Sequence, residues 1–301
     1  MEQVFRMRTI TLEDLSSMVE LFNHYETNVF GEVQTSEEEI HVMLTSLSEV
    51  DRIGLFLEGD LVAISILTEK DHRLPALILA EPNEQMERYI TVLAKELIDS
   101  AKKKKDQLDD RKTIILSANL GAEKRAFEKC GFTPTRFWYQ MKKNLENISD
   151  LPLPSTYKLT SFDPESEVNI LHEVFEEVFA DHFDYHPSSI EEFQKRFHKP
   201  SFDPSLWYLL RQEDRVVGFV FCSVNDETKL GEITHLGIRR NWRRKGLAHY
   251  LLNHACAVLK EHGMDTAALS VDSESHTDAA IVYQKAGMYV YRGFTRYDLP
   301  I

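Results

Sequence analysis

The chain has 301 residues, a formal net charge of -14 and a hydrophobic fraction of 43%. That length suits two domains of about 150 residues better than one core. The acidic balance excludes general nucleic-acid binding as a main role. The longest apolar runs, such as residues 76–80, are too short to span a bilayer.

Residues 1–6 lack the basic and apolar segments of a signal peptide. The three cysteines, Cys130, Cys222 and Cys256, show no paired spacing. We therefore expect reduced thiols and a cytoplasmic location. The segment 181–187 mixes imidazoles and carboxylates, but its spacing matches no familiar ligand set, so no metal site is predicted.

In chain order, the first half begins with a strand that leads into a capped helix. Thr11 and Asp14 have capping-box spacing, and Leu15, Met18 and Phe22 recur at a helical period. The remaining predicted elements of this half alternate between helices and strands. They are a helix over 36–47, two strands over 53–67 with a turn at 59–60, a helix over 86–101, a strand over 113–117, a helix over 123–129 and a strand over 136–141.

Residues 147–156 contain Pro152 and Pro154 without helical periodicity, which predicts a linker. The second half then repeats the pattern of the first. Its predicted elements are a strand over 157–162, helices over 165–179 and 190–197, a hairpin over 207–221, a strand over 233–238, a helix over 247–262, a strand over 267–271, a helix over 277–285 and a strand over 289–297.

Two stretches keep the same register in both halves. Residues 126–132 align with 282–288, and residues 59–63 align with 214–218. Unrelated domains rarely preserve such spacing, so the pattern indicates a tandem duplication. We therefore predict one domain over 1–148 and a second over 153–301.

Residues 231–248 carry the most informative pattern: an apolar strand, a basic turn with glycine, and the start of a long helix. A helix N-terminus has free N–H groups and a positive dipole end, and glycine lets an anion approach the backbone. The sequence therefore predicts a phosphate site in this turn, whose residues are Arg243, Arg244, Lys245, Gly246, Leu247 and Ala248.

The second half resembles the GNAT acetyltransferase superfamily. It has the motif Arg-x-x-Gly-x-Ala at Arg243, Gly246 and Ala248, followed by Ala-x-x-x-Tyr-x-x-x-Gly from Ala279 to Gly287. The tandem arrangement, with Gly231-Glu232 before the strand and the segment 179–182 upstream, is similar to the tandem-domain subgroup that includes mycothiol synthases.

This resemblance implies an α+β fold of two tandem GNAT-like domains, each a mixed, mostly antiparallel sheet flanked by helices. It also implies acetyl-CoA as a substrate, with its pyrophosphate on the turn at residues 243–248. The pantetheine arm is expected on the main chain of Leu236, Gly237 and Ile238. Where the family often has asparagine this chain has His276, so Ser275 or His276 is expected to make the remaining contact.

The first half departs from the motifs. Residues 81–88, which precede the matching helix, hold several carboxylates and no glycine, and these would repel a pyrophosphate. Phe127 stands where the second half has Tyr283 and has no proton to donate. The first domain is therefore predicted to keep the fold without the pyrophosphate loop or the reaction.

Acetyl transfer to an amine needs a base for the ammonium and an acid for the leaving thiolate. We expect Glu232 as the base and Tyr283 as the acid. His235 is an odd number of residues from Glu232, so in a regular strand it faces the other side, although a bulge changes that. Residues expected to bind the acceptor are Asp181, His182, Tyr185 and His235.

The resulting hypothesis is an acetyl-CoA-dependent N-acetyltransferase that acts on an amine, expected to be a small molecule, without a nucleic-acid or membrane partner. Two alternatives stay open at this point. One is acetylation of a protein N-terminus or lysine, and the other is a catalytically silent acyl-CoA-binding module. Both a monomer and a homodimer are compatible with the sequence.

Overall fold

The computed structural model describes residues 5–47, 51–70, 72–104, 113–148, 151–198, 202–275 and 277–301. The chain forms two compact units, Met1–Trp138 with Gly293–Ile301, and Tyr139–Arg292. These units differ at their ends from the two halves of the repeat. Residues 139–148 of the first half belong to the second unit, and residues 293–301 of the second half belong to the first unit.

The first half contains six strands and four α-helices among its described residues. They are β1 Phe5–Thr9, α1 Leu15–Phe30, α2 Glu37–Ser46, β2 Arg52–Leu57, β3 Asp60–Leu67, β4 Leu74–Ala80, α3 Met86–Lys104, β5 Thr113–Ala118, α4 Gly121–Lys129 and β6 Thr133–Asn144.

The second half repeats this order with six further strands and four further α-helices in its described part. They are β7 Tyr157–Ser161, α5 Val168–Phe179, α6 Ile190–Gln194, β8 Trp207–Gln212, β9 Arg215–Asn225, β10 Leu230–Ile238, α7 Leu247–Glu261, β11 Thr266–Asp272, α8 Ala279–Lys285 and β12 Tyr289–Pro300.

Local sequence signals explain the helix starts. The backbone N–H of Thr11 donates to Asp14 Oδ2 at 2.9 Å, as the capping-box spacing predicts for α1. Ser36 and Glu39 form a second capping box at the start of α2, where the Glu39 N–H donates to Ser36 Oγ at 3.2 Å. In α3, buried Tyr89, Leu93 and Leu97 recur at helical spacing and face β3 and β4.

The two units share one strand order. In the first unit β1, β2, β3 and β4 pair antiparallel, and β4 and β5 pair parallel. In the second unit β7, β8, β9 and β10 pair antiparallel, and β10 and β11 pair parallel. The predicted fold of two tandem, mostly antiparallel domains flanked by helices is therefore confirmed.

Each unit has its own apolar core between its sheet and its helices. The predicted helices over 165–179 and 277–285 start later than expected, at Val168 and Ala279. The predicted helix over 190–197 continues from Gln194 as a 3-10 turn. Among the described residues, no helix has the length and hydropathy needed to cross a membrane.

Candidate active site

A bulge in β10 determines which side chains share a face of the strand. Ile233 pairs with Cys222 and His235 pairs with Phe221, so Thr234 is an extra residue between them. Thr234 Oγ1 donates to the Phe221 carbonyl oxygen at 3.2 Å. The strand is therefore not regular here, and the bulged alternative holds: the extra residue turns His235 to the side of Glu232.

Aromatic rings hold the imidazole of His235 on that face. Its ring centroid lies 5.2 Å from Phe175, 5.7 Å from Phe179 and 5.7 Å from Phe221. Phe175 and Phe179 belong to α5, so the bulged part of β10 packs beneath this helix. His235 is half-buried, whereas Glu232 is exposed at the start of the same face.

The loop after α5 brings two of the predicted acceptor-binding residues to the same aromatic group. The His182 ring meets Phe179 edge-on at 4.5 Å, and Tyr185 stacks on Phe179 at 6.5 Å. His182, Tyr185 and His235 therefore surround the Phe179 ring. Asp181 instead forms an ion pair with Arg240, directly after β10.

Gly237 allows the close approach of α5 to β10. A Cβ at this position would lie 2.5 Å from Val178 Cγ1 and 2.8 Å from the Phe219 ring. Real side chains never come that close, so only glycine fits. The main chain of β10 at Leu236–Ile238 is thereby fixed against the helix.

The basic turn is braced by its first arginine. Arg243 Nε donates to the Ile238 carbonyl oxygen at 3.0 Å, and Arg243 Nη2 reaches the Val178 carbonyl oxygen at 3.4 Å. Its guanidinium therefore ties the end of β10 to α5. Arg244 and Lys245 stay exposed, and Arg244 Nη2 lies 3.5 Å from Asp278 Oδ2 before α8.

Gly246 is the N-cap of α7 and has a left-handed φ of 78°. The first backbone bond of this helix runs from the Tyr250 N–H to the Gly246 carbonyl oxygen at 3.1 Å. The N–H groups of Leu247, Ala248 and His249 precede that bond and have no acceptor within the helix. The predicted turn thus presents backbone donors, a positive helix end and two exposed cationic side chains together.

β10 and β11 separate after Glu232, before the chain reaches the basic turn. They pair only over Leu230–Glu232 with Thr266–Ala268, and no further pairing between them is present among the described residues. Backbone groups of β10 after Glu232 that point toward β11 therefore have no partner in β11 among the described residues. This opening contains the main chain of Leu236, Gly237 and Ile238.

At the end of β11, the Ser275 N–H donates to the Asp272 carbonyl oxygen at 3.1 Å, and Ser275 Oγ lies 2.9 Å from Thr277 Oγ1. His276, the other predicted pantetheine contact, lies outside the described residues. Tyr283 is half-buried on α8, and burial raises the pKa of its phenol to about 12. The phenol thus stays protonated throughout the physiological range.

The first unit has the same architecture with different chemistry. Glu87 lies in the first turn of α3 and pairs with Arg125 at 2.8 Å and with Lys129. Phe127, at the position of Tyr283, is completely buried against Phe132 and Tyr297.

Buried Glu123 occupies backbone donors at the end of β5. It accepts the Leu120 N–H at 2.8 Å and also the Asn119 N–H. In the repeat register, Ala279 stands where the first half has Glu123, and Ser275 stands where it has Asn119. The carboxyl that binds these N–H groups in the first half therefore has no counterpart at Ala279, and the Ser275 N–H donates instead to the Asp272 carbonyl oxygen. Burial raises the pKa of the Glu123 carboxyl.

Three residues were not singled out by sequence patterns. Arg239 pairs with Glu177 of α5, and Arg240 pairs with Asp181, so consecutive arginines connect the end of β10 to α5 and its loop. Lys143, in the part of β6 that belongs to the second unit, donates to the Ala286 carbonyl oxygen. The run of arginines after a strand is a sequence signal that could have identified Arg239 and Arg240. Lys143 is distant from the site in sequence, and no sequence signal indicated it.

Comparison with known proteins gives a family match over part of the chain. Residues 169–288 match the model of the Acetyltransferase (GNAT) family. GNAT acetyltransferases take their acetyl group from acetyl-CoA. The matched range includes α5, the bulged strand, the basic turn and Tyr283.

Curated relatives are mycothiol acetyltransferases. That of Thermobispora bispora is 27% identical over 189 residues, which are 61% of this chain and 62% of the relative. That of Streptomyces coelicolor is 25% identical over 238 residues, which are 77% of this chain and 74% of the relative. The chain thus spans less than two thirds of the Thermobispora bispora protein.

Solved structures share the fold over nearly the whole chain. A GCN5-related N-acetyltransferase from Sphaerobacter thermophilus superposes with a TM-score of 0.82 at 22% identity, covering 98% of this chain and 95% of that one. A tandem GNAT protein from the clavulanic acid biosynthesis pathway gives 0.75 at 10% identity, covering 99% and 98%.

Proposed function

We propose, from the match of residues 169–288 to the GNAT acetyltransferase family model, that the second half of this chain transfers an acetyl group from acetyl-CoA to the amine of a small molecule. The observation that carries this proposal is the combination of the open turn at Gly246 with the bulged end of β10, which pairs with β9 but has no described pairing with β11 after Glu232. A small acceptor is favoured because the curated relatives are named for one.

The residues present fit the cofactor that the family uses. The turn around Gly246 supplies free N–H groups and cationic side chains for a pyrophosphate. The unpaired edge of β10 supplies main-chain partners for an amide-bearing pantetheine arm. A backbone N–H near Leu236 or Gly237 is the candidate donor that polarises the thioester carbonyl.

Glu232 is the proposed base, because an alkylammonium with a pKa near 10 must lose a proton before it attacks. Its exposed carboxylate accepts that proton directly or through water. The amine nitrogen then forms the new bond to the acetyl carbon, and the carbon–sulfur bond breaks. His235 is the competing base, since the bulge places it on the same face.

Tyr283 is the proposed acid. With a pKa of about 12, its phenol is fully protonated at neutral pH. Thiols have a pKa near 8.5, so complete transfer to a free thiolate is uphill by roughly 5 kcal/mol. Tyr283 therefore acts mainly as a hydrogen-bond donor to the sulfur while negative charge develops, which is useful without being indispensable.

The first domain is proposed to keep the fold without the reaction. Carboxylates replace the glycine turn before α3, and Glu123 takes up the N–H groups that follow β5. Phe127 replaces the proposed acid. The boundaries 1–148 and 153–301 remain predictions for the two repeats.

A CoA-release screen over a library of small amines tests the proposal. Wild type should release CoA with at least one amine, and Tyr283→Phe should be about tenfold to a hundredfold slower. Tight binding of acetyl-CoA without turnover on any amine would instead support a silent acyl-CoA-binding module. Turnover on peptides alone would support the protein acetyltransferase.

A further inference from the structure

The helix that carries Tyr283 is weakly held by packing. α8 has seven residues, all described, and none of them is fully buried. A helix of two turns is marginal on its own, so contacts at its ends determine where it lies. At its N-terminal end, the ion pair between Arg244 and Asp278 is exposed, and exposed pairs contribute little.

The C-terminal end has a stronger contact. Lys143 Nζ donates to the carbonyl oxygen of Ala286, the C-cap residue of α8, at 2.8 Å. Carbonyl groups at a helix end lack partners and carry negative partial charge, so an ammonium group is favoured there. Lys143 is half-buried, which shields this contact from solvent more than the Arg244 pair is shielded.

The contact is close to Tyr283 along the chain. The Tyr283 carbonyl oxygen accepts the Met288 N–H at 3.0 Å and the Ala286 N–H at 3.1 Å. Lys143 thus binds the same turn that closes around the Tyr283 backbone. A shift of this turn would move the phenol relative to β10.

The repeat provides an internal comparison. The first unit has the corresponding contact between Leu299 and the end of α4, since a Cβ on Gly131 would lie 3.7 Å from Leu299 Cδ1. In the second unit a Cβ on Gly287 would lie 3.8 Å from Lys143 Cε. The separation in the chain between Lys143 and Leu299 equals that between Gly131 and Gly287. It also equals the separation between Phe127 and Tyr283, so each pair occupies the same place in the two repeats.

Lys143 therefore lies beside the helix that carries Tyr283, and Leu299 lies beside the helix that carries Phe127. A leucine is sufficient for packing at this position, as Leu299 of the first unit shows. Of the two matched residues Lys143 and Leu299, the cationic donor is the one beside the helix that carries a tyrosine hydroxyl. We infer that Lys143 is a positioning residue, supplied by the last strand of the first half, which holds α8 so that Tyr283 reaches the leaving sulfur. This inference rests on the proposed function.

Kinetics of Lys143→Leu, which installs the residue of the first unit, test the inference. We expect kcat to fall about tenfold with the KM for acetyl-CoA unchanged, and Lys143→Arg to restore most of it. In a Tyr283→Phe background the same change should have little further effect, because the hydroxyl to be placed is gone. Lys285→Leu, an equal charge change on the exposed face of α8, is the matched control.

Hydrogen exchange provides a readout that needs no turnover. In Lys143→Leu the amides of residues 286–288 should exchange about tenfold faster than in wild type and in Lys285→Leu. Unchanged exchange, or an equal loss of kcat with and without the Tyr283 hydroxyl, would overturn the inference. If wild type transfers no acetyl group while exchange responds as expected, the proposed function fails and the anchoring of α8 stands.

Discussion

Replacing Gly246 by glutamate should weaken acetyl-CoA binding strongly. Gly246 has a left-handed φ of 78°, and a Cβ there meets no atom within 4 Å. Space is therefore available, and the backbone conformation costs a non-glycine residue about 1–2 kcal/mol. The added carboxylate stands where the helix N-terminus should receive a pyrophosphate.

Electrostatic repulsion costs more than the backbone strain. Two unit charges 4 Å apart repel by about 4 kcal/mol at the effective dielectric constant of a protein surface. Each 1.4 kcal/mol corresponds to about a tenfold change, so Gly246→Glu should weaken binding by at least a hundredfold. Gly246→Ala has the strain without the charge and should weaken binding by less than about tenfold.

Titration calorimetry with acetyl-CoA measures both variants beside wild type. Added salt should reduce the difference in acetyl-CoA affinity between Gly246→Glu and Gly246→Ala, since screening weakens repulsion between exposed charges. Glu87→Gln, which changes the equivalent helix start of the first unit, should bind as wild type does. An affinity for Gly246→Glu within about threefold of wild type would refute the assignment of the turn.

Three further outcomes are expected. Glu232→Gln should lower kcat/KM by about a hundredfold or more, and His235→Gln by less than tenfold. If pH–rate profiles of the two variants show the larger loss of kcat/KM for His235→Gln, His235 is the base instead. Because the Tyr283 pKa is about 12, wild type should show no alkaline loss of kcat from this phenol below about pH 10, and such a loss that disappears in Tyr283→Phe would contradict the raised pKa. Burial lowers the pKa of His254, whose ring faces Tyr208 and Tyr250 with Glu261 nearby. The stability that the neutral His254 contributes is therefore complete above the unfolded-state pKa near 6.5, and it declines as the pH falls below that value. Denaturant unfolding of wild type and His254→Gln between about pH 5 and 8 should show a steeper acid decline for wild type, and parallel curves would count against this.

Much of the fold could be predicted from sequence because local signals and the repeat agree. The capping-box spacing of Thr11 and Asp14 marked a helix start, and the shared register around Phe127 and Tyr283 indicated two copies of one architecture. The family motifs at Arg243 and Tyr283 then indicated the same region that the structure shows as an open turn and a separating pair of strands.

The remaining features depend on contacts between residues that are distant in the chain. The bulge at Thr234 changes one pairing register and has no strong local signal, so the sequence left the side of His235 open. Arg243 donates to the carbonyl oxygens of Ile238 and Val178, which the motif alone does not reveal. The place of Lys143 follows from the strand that passes into the second unit, which no periodicity encodes.

The number of acetyl-CoA molecules bound per chain tests most directly the claim that the two halves share a fold and only one of them holds the cofactor. Equilibrium dialysis of wild type with labelled acetyl-CoA measures it without knowledge of the acceptor. Saturation at one molecule per chain is expected, because exposed cationic side chains adjoin free N–H groups at the start of α7, whereas at the start of α3 Glu87 pairs with Arg125 and Lys129. Saturation at two molecules per chain, or no binding at all, would contradict it.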